Sequence, residues 1–379
     1  MNEIEKLVYQ LILPDGICPG LSVAFGDATK CFQKQIGTDG DNKMLDGTTL
    51  FDLASITKFF LAIIYLKLHE KEIVNVNDSI ETYSEKYVNI GSLIIADLLS
   101  YNVKLSTRKR IDMCDSFEEA NSMIYEIQGS YSDIQLYSDM PSIVLAKLLH
   151  DATGKTFGDW MQKIIIEPLR LYDTGWDYNF LERKKCCSYD NEMWIIDGQV
   201  VIKYNPLGIP NDPKARILSN GGKELNGNAG LFSSTNDIIK IAQALINGEI
   251  LSQESILALS EGNGWDRMGE KQSFGYQCYR KYFDINQTEV PFFLSNNAIA
   301  TSGFTGCYLM IDPINRVFAF IGGNRLNNCV SKCNSEVKEE NGYFILNGMR
   351  YRSSVNYVYQ RDCLRDCICA RALQQMKEK

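Results

Sequence analysis

The stretch that decides the fold is Phe51-Asp52-Leu53-Ala54-Ser55-Ile56-Thr57-Lys58, which continues into the apolar residues 59–64. Its composition predicts a helix over residues 51–71 that is apolar on nearly every side and therefore deeply buried. Ser55 and Lys58 are three residues apart, so their side chains share one face of that helix. A serine hydroxyl becomes a nucleophile when a neighbouring base removes its proton. This pair is therefore a candidate nucleophile and base.

The environment of Lys58 decides whether it can serve as a base. Its pKa would have to fall from about 10.4 toward neutrality, and burial among residues 59–64 predicts such a fall, because a low dielectric disfavours the charged form. A helix start would also place the Ser55 N–H where a developing oxyanion is stabilised. The same Ser-x-x-Lys spacing at Ser106 and Ser335 lies in polar stretches, and we interpret it as chance. A lysine snorkelling at a helix N-terminus is the structural alternative for Lys58.

A second motif, Tyr-Ser-Asp, occurs at both Tyr131 and Tyr137. After Tyr137, Asp139 is a candidate N-cap and Pro141 fits the first helical turn. Gly154 then ends the predicted helix. Tyr137 is thus predicted to lie at a rigid corner before a helix, a setting that Tyr131 lacks. A functional role is favoured for Tyr137, with simple packing as the alternative.

A third motif, residues 301–306, reads Thr-Ser-Gly-Phe-Thr-Gly and leads into a predicted strand over residues 306–311. A hydroxyl followed by glycine at a strand edge lets a substrate acyl group approach the backbone closely. The N–H that follows the glycine is a candidate oxyanion donor. The alternative is a glycine-rich turn between strands. The candidate substrate-binding residues of this motif are Thr301, Ser302, Gly303 and Phe304.

The distribution of patterns along the chain predicts the fold class. Strand-like runs occur near the start, at residues 21–25 and 30–35, and again late, at residues 274–279, 306–311 and 317–321. The region between them is mostly helical, apart from a hairpin that turns at Asp197-Gly198. Helices are also predicted at both chain ends, over residues 1–13 and 356–377. This arrangement predicts an α+β fold: a sheet domain from residues 1–75 and 225–379, with residues 76–224 as an inserted helical domain.

Composition excludes several classes of partner. The 379 residues include 47 acidic and 39 basic side chains without a Lys/Arg-rich stripe, which argues against nucleic acid as a partner. The longest apolar run, residues 59–68, is too short for a membrane span, and the first residues do not resemble a signal peptide, so we expect a cytoplasmic protein. The 12 cysteines fit neither a disulfide framework nor zinc spacing, so we expect reduced thiols, no metal and no cofactor. Composition gives no oligomeric state.

Taken in order, the three motifs resemble the serine β-lactamase and penicillin-binding-protein family. The likeness is strongest to its class C β-lactamase, D-Ala-D-Ala carboxypeptidase and esterase branch. Residues 167–174 and 228–237 also look like segments of that family, and the resemblance covers roughly residues 20–325. It implies an antiparallel sheet built from both chain ends and flanked by helices, with the active site between the sheet and the helical domain.

The resemblance also implies roles for the candidate residues. Ser55 resembles the acylated nucleophile, Lys58 its partner base, and Tyr137 the base or proton shuttle. Which of Lys58 and Tyr137 removes the proton stays open. Asp139 stands where many relatives have an Asn that contacts the substrate amide. The N–H groups of Ser55 and Phe304 resemble the oxyanion hole.

The resemblance implies an enzyme, a serine hydrolase that cleaves an ester, amide or β-lactam bond of a small-molecule or peptide-like acyl substrate. Relatives usually carry Lys or His at Thr301, which helps hold a substrate carboxylate. Its loss predicts weak penicillinase or carboxypeptidase activity and better turnover of neutral esters or amides. Arg325 could supply a cation, but the sequence does not position it. The alternatives are an acyltransferase with an acceptor other than water and a non-catalytic penicillin-binding-like protein.

Overall fold

The secondary structure is described, in a computed structural model, for residues 3–12, 18–182, 184–187, 191–262, 273–334 and 336–377. The helices are α1 (Glu3–Ile12), α2 (Ile56–Glu70), α3 (Ile95–Leu99), α4 (Phe117–Tyr125), α5 (Met140–Thr153), α6 (Phe157–Met161), α7 (Glu167–Leu169), α8 (Tyr178–Glu182), α9 (Pro213–Leu218), α10 (Thr235–Ile246), α11 (Gln253–Glu261) and α12 (Val355–Lys377). The strands are β1 (Gly20–Asp27), β2 (Cys31–Gly37), β3 (Leu50–Asp52), β4 (Val103–Ser106), β5 (Gln128–Tyr131), β6 (Thr174–Gly175), β7 (Glu192–Ile196), β8 (Gln199–Lys203), β9 (Phe232–Ser234), β10 (Tyr279–Arg280), β11 (Ile299–Ser302), β12 (Tyr308–Asp312), β13 (Val317–Gly323), β14 (Val330–Cys333), β15 (Glu339–Glu340), β16 (Tyr343–Leu346) and β17 (Met349–Arg352).

The main sheet joins the beginning of the chain to its end. Its six strands lie in the order β10-β11-β12-β13-β1-β2, and every neighbouring pair is antiparallel. The first strand, β1, pairs with the late strand β13, with Leu21 opposite Gly323 and Asp27 opposite Val317. The prediction of an α+β fold with an antiparallel sheet built from both chain ends is therefore confirmed.

Helices cover both faces of this sheet, because side chains alternate between the faces along each strand. On β13, Phe318 and Phe320 point into the core that contains α2 and α10. The neighbouring residues Val317, Ala319 and Ile321 pack on the other side, against α1 and α12. The amphipathic first helix predicted from the sequence is confirmed, with Ile4, Val8 and Leu11 buried in this second core.

Helix α2 is the buried helix that the sequence predicts, but it begins five residues later. Twelve of its 15 residues are buried, because it packs against the sheet and against α5, α6 and α11. Residues 50–52 form strand β3, which pairs with β9 instead of continuing the helix. Ala54 then has a φ of +45°, which a right-handed helix does not allow. The predicted helix start at residue 51 is therefore wrong, and Ser55 lies at the sharp turn between strand and helix.

The late strand predicted over residues 274–279 is also wrong in large part. Only a single bridge, between Phe274 and Tyr279, and the short β10 form there. Gln277 interrupts the extended backbone with a φ of +55°. Its side-chain amide donates hydrogen bonds to the carbonyls of Leu98 and Leu99, so the segment is fixed to the end of α3 instead of to the sheet.

The hairpin predicted at Asp197-Gly198 is confirmed, and it forms part of a larger feature. β7 and β8 pair across the two positive-φ turn residues, as a type I′ turn requires. β14, for which the sequence analysis predicts no strand, pairs with β7 in parallel. Two further hairpins at Asn341-Gly342 and Asn347-Gly348 were not predicted, although both dipeptides favour the same turn.

The helices of the middle region pack on the core around α2. One continuous hydrophobic cluster extends from the inner face of the sheet through α2 to α3, α5 and α6. The boundaries predicted for an inserted helical domain, residues 76–224, stay a prediction. Within the described ranges, the structure has no helix both long and apolar enough to cross a bilayer.

Truncation of a core side chain on α2 should destabilise the whole protein. Phe60 is fully buried, so we expect Phe60→Ala to lower the free energy of unfolding by about 3–5 kcal/mol through lost burial and a cavity. Urea unfolding followed by circular dichroism measures the change. Val88→Ala is the control, because Val88 is 85% exposed and the substitution should change stability by less than about 0.5 kcal/mol. Equal stability of the two variants would contradict the central position of α2.

Candidate active site

The turn that presents Ser55 is held by a buried carboxylate. Asp52 Oδ1 accepts a hydrogen bond of 2.8 Å from the Ala54 N–H, and its Oδ2 accepts one of 2.8 Å from the Asn211 N–H. Burial raises the pKa of Asp52 to about 6, although these two N–H donors oppose the rise. Ala54 keeps a left-handed φ because the surrounding contacts fix it. The sequence analysis missed Asp52, which no motif distinguishes from a core position.

Lys58 lies directly beside the candidate nucleophile. Its side chain is 1% exposed, and its Nζ lies 2.9 Å from Ser55 Oγ, 3.0 Å from the Asn228 carbonyl oxygen and 2.8 Å from Asp139 Oδ1. An ammonium has three N–H donors and no acceptor, and these three contacts use all of them. In this arrangement Lys58 donates a hydrogen bond to Ser55.

The charge of Lys58 differs from the expectation. Burial by itself lowers the pKa of Lys58, but Tyr137 and the Asp139 carboxylate outweigh burial and raise the pKa above its usual value. The prediction that the apolar surroundings depress this pKa is therefore wrong. The physical reason is that Tyr137 and the negative charge of Asp139 both favour the ammonium, and such attraction is strong in a low dielectric.

Asp139 is the ionic centre of the site. It occupies the predicted N-cap position of α5, but its side chain makes no capping bond. Instead, Oδ1 faces Lys58, and Oδ2 lies 2.9 Å from Lys214 Nζ. Burial would raise the pKa of Asp139, but the two lysines lower it to about 2. Lys214, on α9, also lies 3.4 Å from Asp212. The sequence analysis missed Lys214 because it belongs to no motif.

Tyr137 is held by aromatic packing. Its ring lies 5.2 Å from the ring of buried Tyr101 and 5.7 Å from that of Phe274, centroid to centroid. Lys58 Nζ is 5.3 Å from the centroid of the Tyr137 ring, whose side chain is about half exposed. Tyr131 lies elsewhere and donates its hydroxyl to the Ser92 carbonyl. Of the two Tyr-Ser-Asp motifs, the structure brings the second to Lys58.

The segment after β11 approaches the Ser55 turn closely. A side chain at Gly303 would place its Cβ only 2.5 Å from the Leu53 carbonyl oxygen, so this contact requires glycine. Thr305 Oγ1 fixes the segment by donating to the Asp52 carbonyl at 2.6 Å. In the part of the chain that the structure describes, neither the Ser55 N–H nor the Phe304 N–H donates to a protein acceptor. Both N–H groups are therefore available to a ligand.

All eight candidate residues predicted from the sequence line one cleft. Its volume is about 420 Å³. Their roles stay predictions, but their proximity is a property of the fold. The predicted residues in its wall are Ser55, Lys58, Tyr137, Asp139, Thr301, Ser302, Gly303 and Phe304.

Four further charged residues line this cleft, Asp212, Glu289, Arg325 and Arg361. Arg361, on α12, forms a 2.7 Å ion pair with Glu289, which also accepts a hydrogen bond from Ser302 Oγ. Neither residue belongs to a motif. Arg325, which the sequence could not position, lies with its guanidinium 4.7 Å from the Phe304 ring centroid and donates from Nε to the Phe304 carbonyl. Burial lowers the pKa of Arg325 to about 10. In the described ranges, no group of three His, Cys, Asp or Glu side chains could hold a metal ion.

Comparison with known proteins identifies a family and several relatives. The model of the beta-lactamase family matches residues 15–335. A protein of Salmonella agona (strain SL483), provisionally named a D-alanyl-D-alanine carboxypeptidase, is 25% identical over 313 residues, which cover 73% of this chain and 69% of the relative.

Two solved structures share the fold over almost the whole chain. EstCE1, described as a hydrolase with promiscuous acyltransferase activity, has a TM-score of 0.68 at 15% identity and covers 96% of this chain and 97% of its own. The LovD6 mutant of simvastatin synthase from Aspergillus terreus has a TM-score of 0.67 at 14% identity, over 99% and 97% of the two chains. At these identities the likeness concerns the fold.

Proposed function

Because this chain belongs to the beta-lactamase family and is an enzyme of its carboxypeptidase and esterase hydrolases, we propose that it cleaves an ester, amide or β-lactam bond through an acyl-enzyme on Ser55. The observation that carries the proposal is the 2.9 Å contact between buried Lys58 Nζ and Ser55 Oγ at the wall of an open cleft. A serine hydroxyl beside a proton-accepting group is the general arrangement of an activated nucleophile.

The proposed reaction uses the cleft in two stages. Ser55 Oγ attacks the substrate carbonyl carbon while its proton passes to the pair formed by Lys58 and Tyr137. The N–H groups of Ser55 and Phe304 stabilise the oxyanion. The leaving group then takes the proton from the pair and departs. Water finally attacks the acyl-enzyme and gives its proton to the same pair. The acyl–Oγ bond breaks, the pair returns that proton to Ser55 Oγ, and the acid is released.

The pair of Lys58 and Tyr137 is best treated as one unit that must first lose a proton. With an ammonium and a phenol, the pair has a charge of +1 and cannot accept the Ser55 proton. After loss of one proton it is neutral overall and can act as a base, whichever residue released the proton. Asp139 favours the positively charged form of the pair and Lys214 disfavours it, so the two residues set the pH at which the enzyme becomes active.

The alternatives concern the acyl acceptor. An alcohol or amine in place of water would make the protein an acyltransferase, and the same cleft and the same acyl-enzyme would serve. The non-catalytic alternative is set aside, because Ser55, Lys58 and Tyr137 lie together in one cleft of an enzyme family. The cytoplasmic location and the small-molecule or peptide-like acyl substrate stay predictions.

An active-site probe should label one serine. Incubation with a fluorophosphonate should add one adduct to the wild-type protein, and Ser55→Ala and Lys58→Ala should each abolish it, because the nucleophile and its partner are both required. Intact-mass spectrometry measures the adduct. Ser106→Ala, in a Ser-x-x-K tetrad whose Lys109 pairs with Glu119 at 2.6 Å, is the control and should label normally. A wild-type protein without an adduct would refute the proposed nucleophile.

The ionic contacts of Asp139 predict opposite pH shifts for two variants. Asp139→Asn removes the charge that favours the protonated pair, so the acid limb of kcat/KM against pH should move down by about one pH unit. Lys214→Gln removes the second ion partner of Asp139, so that the carboxylate acts on Lys58 alone. The acid limb of kcat/KM should therefore move to higher pH. Two other titratable groups lie near Lys58, namely Tyr137 and Tyr279. Both are unchanged in the two variants.

The measurement is hydrolysis of a p-nitrophenyl ester from pH 5 to pH 10, with product detected at a wavelength independent of its ionisation. Circular dichroism should show that both variants are folded. Shifts in the same direction, or no shift in either variant, would show that Asp139 does not control the charge of the pair.

The cleft should favour neutral substrates. Thr301 is buried and offers only a hydroxyl, Arg361 is paired with Glu289, and Arg325 is held against Phe304. A substrate carboxylate therefore finds no unengaged cation among these residues. We expect a higher kcat/KM for p-nitrophenyl butyrate than for nitrocefin or a D-Ala-D-Ala peptide. Fast hydrolysis of nitrocefin and the D-Ala-D-Ala peptide would contradict this expectation. If Arg325→Met then lost only this hydrolysis, Arg325 would be identified as the cation that binds the substrate carboxylate.

A further inference from the structure

A second pocket opens beside Ser55, separate from the cleft that holds Lys58 and Tyr137. Its volume is about 380 Å³. Apolar groups from the Ser55 turn and its surroundings form part of its wall, namely those of Ala54, Pro213, Ala229 and Phe304. The β7–β8 hairpin and β14 supply a further part, namely Glu192, Trp194, Lys203, Ser331 and Lys332, and Ser55, Asn211 and Asp212 complete the wall.

If the proposed acyl transfer is correct, the residues that line each space indicate which space holds the leaving group of the substrate and which holds its acyl group. A leaving group must receive a proton as it departs. Lys58 and Tyr137 line the first cleft and are absent from the lining of the second pocket, as far as the described chain shows. The leaving group therefore belongs in the first cleft. Ser55 and Phe304 line both spaces, so the acyl group on the other side of the carbonyl extends into the second pocket.

Two lysine ammonium groups lie close to one indole ring in this pocket. Lys203 Nζ lies 5.0 Å and Lys332 Nζ 4.9 Å from the centroid of the Trp194 ring. Lys332 is opposite Trp194 in the parallel pairing of β14 with β7, so the backbone fixes its position. Cation–π contacts within about 6 Å of a ring centroid are attractive. Trp194 thus holds two positive charges at the pocket.

The acidic residue in the same wall is already engaged. Glu192 Oε2 accepts hydrogen bonds of 2.7 Å from both Asn205 and Asn211, and Oε1 accepts one of 2.5 Å from Ser331. Lys203 is its ion partner at 3.5 Å. Lys332 is exposed and has no acidic partner within 4.0 Å in the described ranges.

The other acidic residue of the pocket, Asp212, is also engaged. It accepts hydrogen bonds from the Ala215 N–H at 2.8 Å and from Asn228 Nδ2 at 3.0 Å, and it lies 3.4 Å from Lys214. The unpaired charge of the pocket is therefore positive and is located at Lys332. The apolar part of the wall consists of Ala54, Pro213, Ala229 and Phe304.

We propose that this pocket binds the acyl group of the substrate, and that this acyl group has an apolar body next to the ester or amide carbonyl and an anionic far end. The apolar body packs against Ala54, Ala229 and Phe304. The anion contacts Lys332 at the outer side of Trp194. The physiological substrate is then an ester or amide of a dicarboxylic or similarly anionic acid, with its neutral leaving group in the first cleft.

The test compares two esters that differ only in the charge of the acyl end. The substrates are 4-nitrophenyl hydrogen adipate, which ends in a carboxylate, and methyl 4-nitrophenyl adipate, which does not. The wild-type enzyme should have a kcat/KM about fivefold higher for the carboxylate, as expected for one partly exposed ion pair. The preference should decrease as salt is raised, because the pair is partly exposed.

Charge variants locate the effect. Lys332→Gln should remove the preference for the carboxylate and Lys332→Glu should reverse it, each judged from the ratio of the two kcat/KM values measured in the same variant. Lys71→Glu is the matched control, since it makes the same change at an exposed lysine just beyond the far end of α2. At 1.5 Å per residue, that end is about 22 Å from Ser55. This control should keep the wild-type preference.

The outcomes separate this inference from the proposed function. Hydrolysis of the neutral ester that depends on Ser55, without a preference for the carboxylate in the wild type, would overturn the inference and leave the acyl-enzyme proposal intact. An equal preference in wild type and Lys332→Glu would also overturn it. Hydrolysis that persists in Ser55→Ala, or no p-nitrophenol release from either ester, would overturn the proposed function itself.

Discussion

The contact on which this site depends is the one between the buried ammonium of Lys58 and its three acceptors. A lysine that is 1% exposed cannot remain charged unless each N–H finds a partner. Ser55 Oγ, the Asn228 carbonyl and Asp139 Oδ1 provide those partners from three distant parts of the chain. The fold must therefore bring the start of α2, the approach to β9 and the start of α5 together before Lys58 can be buried as a fully hydrogen-bonded ammonium.

Asp139 gives this contact its particular character. The carboxylate stabilises the Lys58 ammonium and is itself stabilised by Lys214, whereas an amide at that position would remove this stabilisation. The resting site therefore stores a proton on the pair of Lys58 and Tyr137. Lys214 moderates this effect because it competes for the same carboxylate. In the proposed mechanism, the balance of these three charges, and not burial of Lys58 alone, sets the pH at which Ser55 becomes reactive.

The position of Ser55 between two spaces follows from the strained turn before it. Ala54 keeps its left-handed φ because Asp52 accepts its N–H, and Gly303 can approach Leu53 because it lacks a side chain. Together these features place the N–H groups of Ser55 and Phe304 at the boundary of both spaces. Lys58 and Tyr137 line one of them. The other is formed largely by the β7–β8 hairpin and β14, whose pairing joins segments more than 130 residues apart.

Local patterns in the sequence by themselves determined the α+β class, the buried helix with Ser55 and Lys58, the hairpin at Asp197-Gly198 and the eight residues that line the first cleft. These features depend on periodicity, turn chemistry and motif order, which act over a few residues. Tertiary structure decided the rest. The helix start moved to Ile56 because β3 pairs with β9, and Lys58 stayed charged because Asp139 turns from its capping position toward it. Packing of distant elements brought Arg361 and Lys332 to the two spaces and Lys214 to Asp139, and charge interactions across such distances in sequence leave no local pattern.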